Sequence, residues 1–163
     1  MSGAADFSKE LLEALINKTS DAVIVINSQQ EIVYLNPATE KIFGWQVQEL
    51  LGKPLTVLIP MQFREMHTRW VARYGETGES ERDNSQPMEF LGLRKNGEVF
   101  PAEVAIGRCE VEGNRYYSAI IRDISHTKAI LTELEKNQHR LELALATGKL
   151  GYWDINLATG EVF

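Results

Sequence analysis

Hydrophobic and polar positions along this chain follow two periods, which predict two kinds of element. Stretches rich in β-branched and aromatic residues, partly alternating with polar ones and separated by turn-forming residues, predict β-strands. Five stretches have this character: 22–26, 31–35, 88–94, 98–106 and 115–124. Asn96-Gly97, between the third and fourth of them, is the dipeptide typical of a tight hairpin turn. The chain is therefore predicted to form five antiparallel strands.

A helical period occupies the segment between the second and third strands. Four side chains recur there at spacings of four, three and four, which places them on one face of a helix: Phe63, His67, Trp70 and Tyr74. This helix is predicted to end at Gly75 and Gly78, and its histidine is an unusual residue for an apolar face. Shorter helices are predicted around 11–16, 37–43 and 46–51. Helices inserted into an antiparallel sheet define an α+β fold.

After the last strand the hydrophobic period becomes seven. Two sets of positions seven apart continue for about three repeats: Ile124, Leu131, Gln138 and Leu145, and Thr127, Leu134 and Leu141. This heptad pattern predicts a coiled coil formed with a second copy of the chain, or alternatively an amphipathic helix packed on its own domain. In a coiled coil the dimerisation residues are the leucines: Leu131, Leu134, Leu141 and Leu145.

The last residues of the sequence repeat the first ones. With a shift of 130 residues, Val25 corresponds to Ile155 and Glu31 to Glu161. The chain is therefore expected to stop inside a truncated second copy of its first domain and to be part of a longer protein. Four regions are predicted: a leader at 1–9, a domain at 10–124, a signalling or coiled-coil helix at 125–146, and the start of the repeat at 147–163.

Composition narrows the classes of function. A net charge of −6 without a basic stripe argues against binding to nucleic acid. The single Cys109 excludes an intramolecular disulfide and fits a reducing, cytoplasmic setting. The longest apolar run, 22–26, is too short to span a membrane. Because the sequence has no phosphate-binding loop, no metal-spaced His/Cys cluster and no nucleophile with its base, the chain is not expected to be an enzyme itself.

Taken in order, these motifs resemble a PAS sensor domain. The resemblance covers residues 10–126 and includes N-P-A at 36–38, F-G-W at 43–45, the hairpin R-K-N-G-E-V-F-P-A-E-V at 94–104, and R-D-I-S at 122–125. It implies a five-stranded antiparallel sheet with helices over one face and a ligand, where there is one, between sheet and helices. It also implies a homodimer, formed through the N-terminal helix, the C-terminal helix or both, and an output through the helix that leaves the last strand.

Within that family, the central helix is similar to the haem-binding branch of oxygen-sensing kinases and phosphodiesterases. The matching residues are Ile59-Pro60, His67 and Arg73-Tyr74. The resemblance implies that His67 is the proximal ligand of the haem iron and that Arg73 pairs with a haem propionate. The sensed signal would then be a diatomic gas such as O2, NO or CO, or the redox state.

The resemblance leaves the rest of the cofactor site open. Met88 is the nearest candidate for a distal residue, while Trp70 and Tyr74 either contact the cofactor or belong to the core. Two alternatives stand beside haem: a cofactor-free dimerisation and relay domain, and a pocket for flavin or a small metabolite. The N-C-R-F-L-Q helix of light-sensing flavin domains is absent, so Cys109 is interpreted as an ordinary strand residue.

The R-D-I-S segment is a candidate coupling joint. Asp123 and Ser125 are expected to hydrogen-bond locally where the last strand becomes the C-terminal helix, and so to relay a signal from the pocket. The resemblance implies that the full-length protein carries a histidine kinase or a cyclic-di-GMP synthase or phosphodiesterase as its effector.

Overall fold

The structure is a computed structural model that describes residues 2–77 and 88–148. Five strands form one antiparallel sheet: β1 Ala22–Asn27, β2 Ile32–Leu35, β3 Met88–Leu93, β4 Val99–Val111 and β5 Asn114–Asp123. Their order across the sheet is β2-β1-β5-β4-β3, so the first and last strands of the chain are neighbours at its centre. The predicted α+β fold and its five antiparallel strands are confirmed.

Five α-helices accompany the sheet: α1 Ser2–Lys18, α2 Pro37–Phe43, α3 Val47–Leu50, α4 Met61–Thr77 and α5 Ser125–Gly148. A short 3-10 helix at Leu55–Leu58 precedes α4. Alternate residues of β1 are buried, as expected for a sheet that packs on one face. The core joins that face to α2, α3 and α4 through Phe43, Leu50 and Val71. The space between sheet and helices is thus the interior of the domain.

Asn36 is a buried junction between three elements. Its side chain caps α2 by accepting a hydrogen bond from the backbone of Thr39, and Pro37 follows at the first helical position, as the sequence predicts. The same side chain accepts from the backbone N–H of Val23 and donates to the carbonyls of Ile16 and Asp21. It therefore ties the last turn of α1 to β1 and α2.

One of the two predicted ends of α4 is wrong. Gly75 is buried inside the helix and does not end it; α4 continues to Thr77, the residue before the other predicted end, Gly78. The strand β4 contains Pro101, which pairs with Leu91 and whose carbonyl accepts a hydrogen bond from the backbone N–H of Ile124. Proline lacks only the donor, so a position that uses its carbonyl is compatible with a strand.

The chain divides into two compact units, residues 1–125 and 126–163. Apart from the final turn of α5, the predicted repeat at 147–163 lies outside the described residues. The α1 helix begins at Ser2, within the segment predicted as a leader. Within residues 2–77 and 88–148, no helix is both long and apolar enough to cross a membrane.

Candidate ligand site

The predicted face of α4 is present, and three of its side chains form a row of rings. The ring centroids of His67 and Trp70 are 6.2 Å apart, and those of Trp70 and Tyr74 are 6.0 Å apart with nearly parallel planes. We call these three residues the α4 aromatic face. Tyr74 is buried, whereas His67 and Trp70 are partly buried. The face is therefore inside the domain at its C-terminal end and partly open at His67.

Rings from the sheet complete this surface. Phe90 of β3 lies 6.3 Å from Trp70, and Tyr117 of β5 lies 6.1 Å from Tyr74, both between ring centroids. Tilted aromatic pairs at such distances contribute about 0.5–1.5 kcal/mol beyond the apolar area that they bury. Sequence periodicity identified the helix side of the site, but the partners from distant strands depend on the sheet register.

His67 is polar, largely shielded from water and incompletely paired. Its Nδ1 atom is buried and has no hydrogen-bond partner among the described residues. Burial lowers the pKa of His67 below its ordinary value, because the interior disfavours the charged imidazolium. At neutral pH the side chain is therefore a neutral imidazole, the form in which histidine binds metals.

The other predicted cofactor residues lie at the margins of this surface. Arg73 is on α4 and is exposed, next to the buried Tyr74. Met88 is the first residue of β3 and pairs with Val104 in the sheet. The structure thus brings His67, Trp70 and Tyr74 together on one face, while Arg73 lies on the outer side of the same helix.

A second polar cluster lies where β5 ends. Arg94 donates to a carboxylate oxygen of Asp123 at 2.6 Å, to the carbonyl of Ile42, and lies over the ring of Phe100. The other carboxylate oxygen of Asp123 accepts from the backbone N–H and the hydroxyl of Ser125, at 2.9 and 2.6 Å. We call Arg94, Asp123 and Ser125 the β5–α5 junction.

The junction has an electrostatic signature of its own. Burial alone would raise the pKa of Asp123, but the hydrogen bonds from Ser125 and Arg94 outweigh it and hold that pKa below its ordinary value. The local Asp123–Ser125 bonds are those that the sequence suggests. Arg94 was missed by sequence reasoning, since its partners are 52 and 29 residues away; a cation directly before a hairpin turn is a weak signal.

The indole of Trp45 is the other buried nitrogen without a partner in the described part of the chain. The ammonium groups of Lys53 and Lys95 lie 5.5 and 5.1 Å from the centre of its ring. Lys95 also pairs with Glu49 at 2.7 Å, so this cluster is a charged surface feature. An indole N–H only donates, and Trp45 therefore cannot serve as a metal ligand.

The family model of the PAS fold matches residues 10–124, and the chain belongs to the PAS family. The PAS identity inferred from the sequence motifs is thereby confirmed. PAS domains are sensory modules of signal-transduction proteins, and the matched region carries no catalytic function of its own.

Two curated relatives are sensors. The chain is 27% identical over 151 residues to the sensor protein FixL of Bradyrhizobium diazoefficiens, covering 91% of this chain and 30% of that protein. It is 28% identical over 127 residues to the oxygen sensor protein DosP of Escherichia coli, covering 78% of this chain and 15% of that protein. The chain thus spans less than a third of either relative.

A solved structure agrees on the fold. The PAS domain of a protein from Colwellia psychrerythraea superposes with a TM-score of 0.61 at 22% identity, covering 74% of this chain and 98% of that one. At this identity the likeness bears on the fold alone.

Proposed function

We propose that this chain is a sensory PAS module that holds haem through His67 and responds to a diatomic gas or to redox state. The observation that carries the proposal is the neutral, partly buried imidazole whose Nδ1 has no partner in the described structure. A buried polar atom left unpaired costs about 1–3 kcal/mol, and such costs are often retained where a ligand completes the site. Similarity to an oxygen sensor protein supports the same reading.

The residues present fit a haem better than a free metal ion. Among the described residues no group of three or more His, Cys, Asp or Glu side chains could hold a metal, so a metal at His67 would have to bring its remaining ligands with it. Iron in a porphyrin does so. The rings of Trp70 and Tyr74 offer apolar surface to a flat macrocycle, and Arg73 offers a cation for a propionate.

When bound, haem would supply a coordination position for the gas. The chain's own part is to keep His67 neutral by burial, to orient its ring beside Trp70, and to exclude water with the aromatic side chains. Met88, at the start of β3, is the proposed distal residue.

The test is an ultraviolet–visible spectrum of the protein titrated with hemin, compared with His67→Ala. We expect a Soret band in the wild type that is lost or shifted in the variant. His139→Ala is the matched control, because it removes an imidazole from the exposed surface of α5 and should leave the band unchanged. A wild-type protein that takes up no hemin, or a band that survives unchanged in His67→Ala, would contradict the proposal.

A cofactor-free relay is the second candidate, and one observation favours it. Rings from α4, β3 and β5 already contact one another beside His67, so the interior there is packed without a cofactor. In this reading His67 is a packing residue. This second candidate would be supported if the protein is colourless and does not bind hemin, and if its dimerisation changes when other domains are attached to it.

We also propose that the chain acts as a homodimer. The α5 heptad leucines Leu131, Leu134 and Leu141 are all more than half exposed in the single chain, as are Phe7, Leu12 and Leu15 of α1. Exposed leucines at heptad spacing are the surface that a second α5 helix would cover. The output domain, a histidine kinase or a cyclic-di-GMP enzyme, would follow this helix in the full-length protein.

A further inference from the structure

Gly75 is an unexpected residue for the interior of a helix. Glycine is the least favourable helix residue after proline, yet α4 runs through it for two more residues. The reason lies on β5: a Cβ atom at position 75 would overlap the hydroxyl oxygen of Tyr117. The absence of a side chain thus lets α4 and β5 approach closely at this point.

Arg115, also on β5, contacts the backbone of Gly75. Its guanidinium donates to the carbonyl of Gly75 at 2.5 Å. That carbonyl lies in the last turn of α4, where carbonyl groups have no partner within the helix. A cation there also complements the negative end of the helix dipole. The contact therefore satisfies the helix and fixes its position on the strand.

Of these two residues, Tyr117 also contacts the α4 aromatic face, and both lie on β5, the strand that leads to the β5–α5 junction. Tyr117 touches Tyr74, the last member of the ring row that begins at His67. Six residues beyond Tyr117, the same strand ends in Asp123 and the first turn of α5. A strand is stiff along its length, so β5 links the C-terminal end of α4 to the junction.

We propose that Arg115 and Tyr117 form a clamp on Gly75 that positions α4, and with it His67, and passes a displacement of α4 along β5 to the start of α5. This rests on the proposed function in that α4 is taken as the helix on which the ligand acts. The clamp itself involves no cofactor, so it can be tested in the ligand-free protein.

The test measures hydrogen exchange at the backbone amides of residues 125–128, alongside global stability from urea denaturation. In Gly75→Ala the added methyl group pushes Tyr117 away, and we expect exchange at the start of α5 to rise on the order of fivefold or more beyond any change in global stability. In the double variant Gly75→Ala with Tyr117→Phe the hydroxyl is gone and the nearest ring atom, Cζ, is 3.2 Å away. We expect exchange to return towards the wild-type rate.

Two controls separate the clamp from general damage to β5. Gly107→Ala also places a methyl group against this strand, 2.8 Å from the hydroxyl of Ser118, but on the face opposite Tyr117. Tyr116→Phe removes a hydroxyl from the neighbouring residue. Neither should change exchange at 125–128 after correction for stability. An equal rise in Gly107→Ala, or no recovery in the double variant, would overturn the clamp.

Arg115→Gln tests the second half of the clamp under milder conditions. It keeps a donor but loses the charge, and we expect a smaller rise in exchange at residues 125–128 than in Gly75→Ala. Hemin titration of the same variants separates the two proposals. A rise in exchange without hemin uptake would support the clamp and refute the haem site, whereas a Soret band with unchanged exchange in Gly75→Ala would refute the clamp.

Discussion

The α4 aromatic face and the β5–α5 junction treat their polar atoms in opposite ways. At the face, the buried Nδ1 of His67 is left without a partner in the described structure. At the junction, both carboxylate oxygens of Asp123 are bonded, and the Arg94 side chain contacts Asp123, Ile42, Glu98 and the ring of Phe100. A ligand that pairs an unsatisfied buried group stabilises the protein, whereas any movement of a fully paired site breaks hydrogen bonds and costs free energy. The α4 aromatic face is therefore suited to binding a ligand, and the β5–α5 junction is suited to fixing the start of α5.

The largest expected effect is the loss of the junction's cation. Arg94→Ala should lower the free energy of unfolding by about 2–3 kcal/mol, because the partly buried Asp123 and the carbonyl of Ile42 would lose their charged partner. Urea denaturation measures this. Arg122→Ala is the control, since the Arg122 side chain is mostly exposed in its pair with Asp21 and its loss should lower the free energy of unfolding much less. Equal losses in the two variants would remove the distinction drawn for the junction.

The next effect concerns the helix that the junction starts. Leu134→Glu should weaken a dimer about tenfold or more, because a carboxylate would enter the apolar seam of the heptad. Thr132→Glu introduces the same side chain on the outer side of the helix and should leave the dimer intact. Sedimentation velocity over a concentration series measures both, and an unchanged Leu134→Glu dimer would exclude the coiled coil.

The face should respond in the opposite direction to the junction. His67→Leu is expected to raise the free energy of unfolding by about 1 kcal/mol, because it removes a buried polar atom that has no partner. His139→Leu, on the exposed surface of α5, should change it little. A destabilised His67→Leu variant would show that His67, like the residues of the junction, takes part in stabilising polar interactions.

The smallest expected effect is the pH dependence of stability, to which the two regions contribute over different pH ranges. The pKa of His67 is lowered from 6.5 in the folded state, so the unfolded chain binds more protons and stability falls as the pH drops below about 6.5. The pKa of Asp123 is lowered from 3.8, so its contribution is present above that value and is lost only as the pH falls through its lower folded pKa. Urea titrations at several pH values should show the first decline vanish in His67→Leu and persist in Asp123→Asn.

The local elements could be predicted from the sequence because their signals are local. The Asn36-Pro37 start of α2, the Asn96-Gly97 turn and the periodic face of α4 each depend on neighbours within one or two turns of chain. The PAS motifs placed these elements in one family. For the candidate site, the sequence predicted the side chains that α4 contributes but not those that come from the sheet.

The remaining features depend on register and on long-range approach. Gly75 was taken as a helix end because glycine often is one; the presence of Tyr117, 42 positions later, reverses that interpretation. The reach of Arg94 to Ile42 and Asp123 has no local signature either. Periodicity can place a side chain on a face but cannot say which strand comes to meet it.

The amide of Asn36 has a consequence for how such domains are combined. Apart from Thr39, its partners are backbone atoms, the N–H of Val23 and the carbonyls of Ile16 and Asp21. Backbone groups are the same whatever residue carries them, so the joint places few demands on the sequence of the helix that enters the domain. We therefore expect that α1 helices of different sequence can be joined to the domain while the hydrogen bonds of the Asn36 side chain are kept.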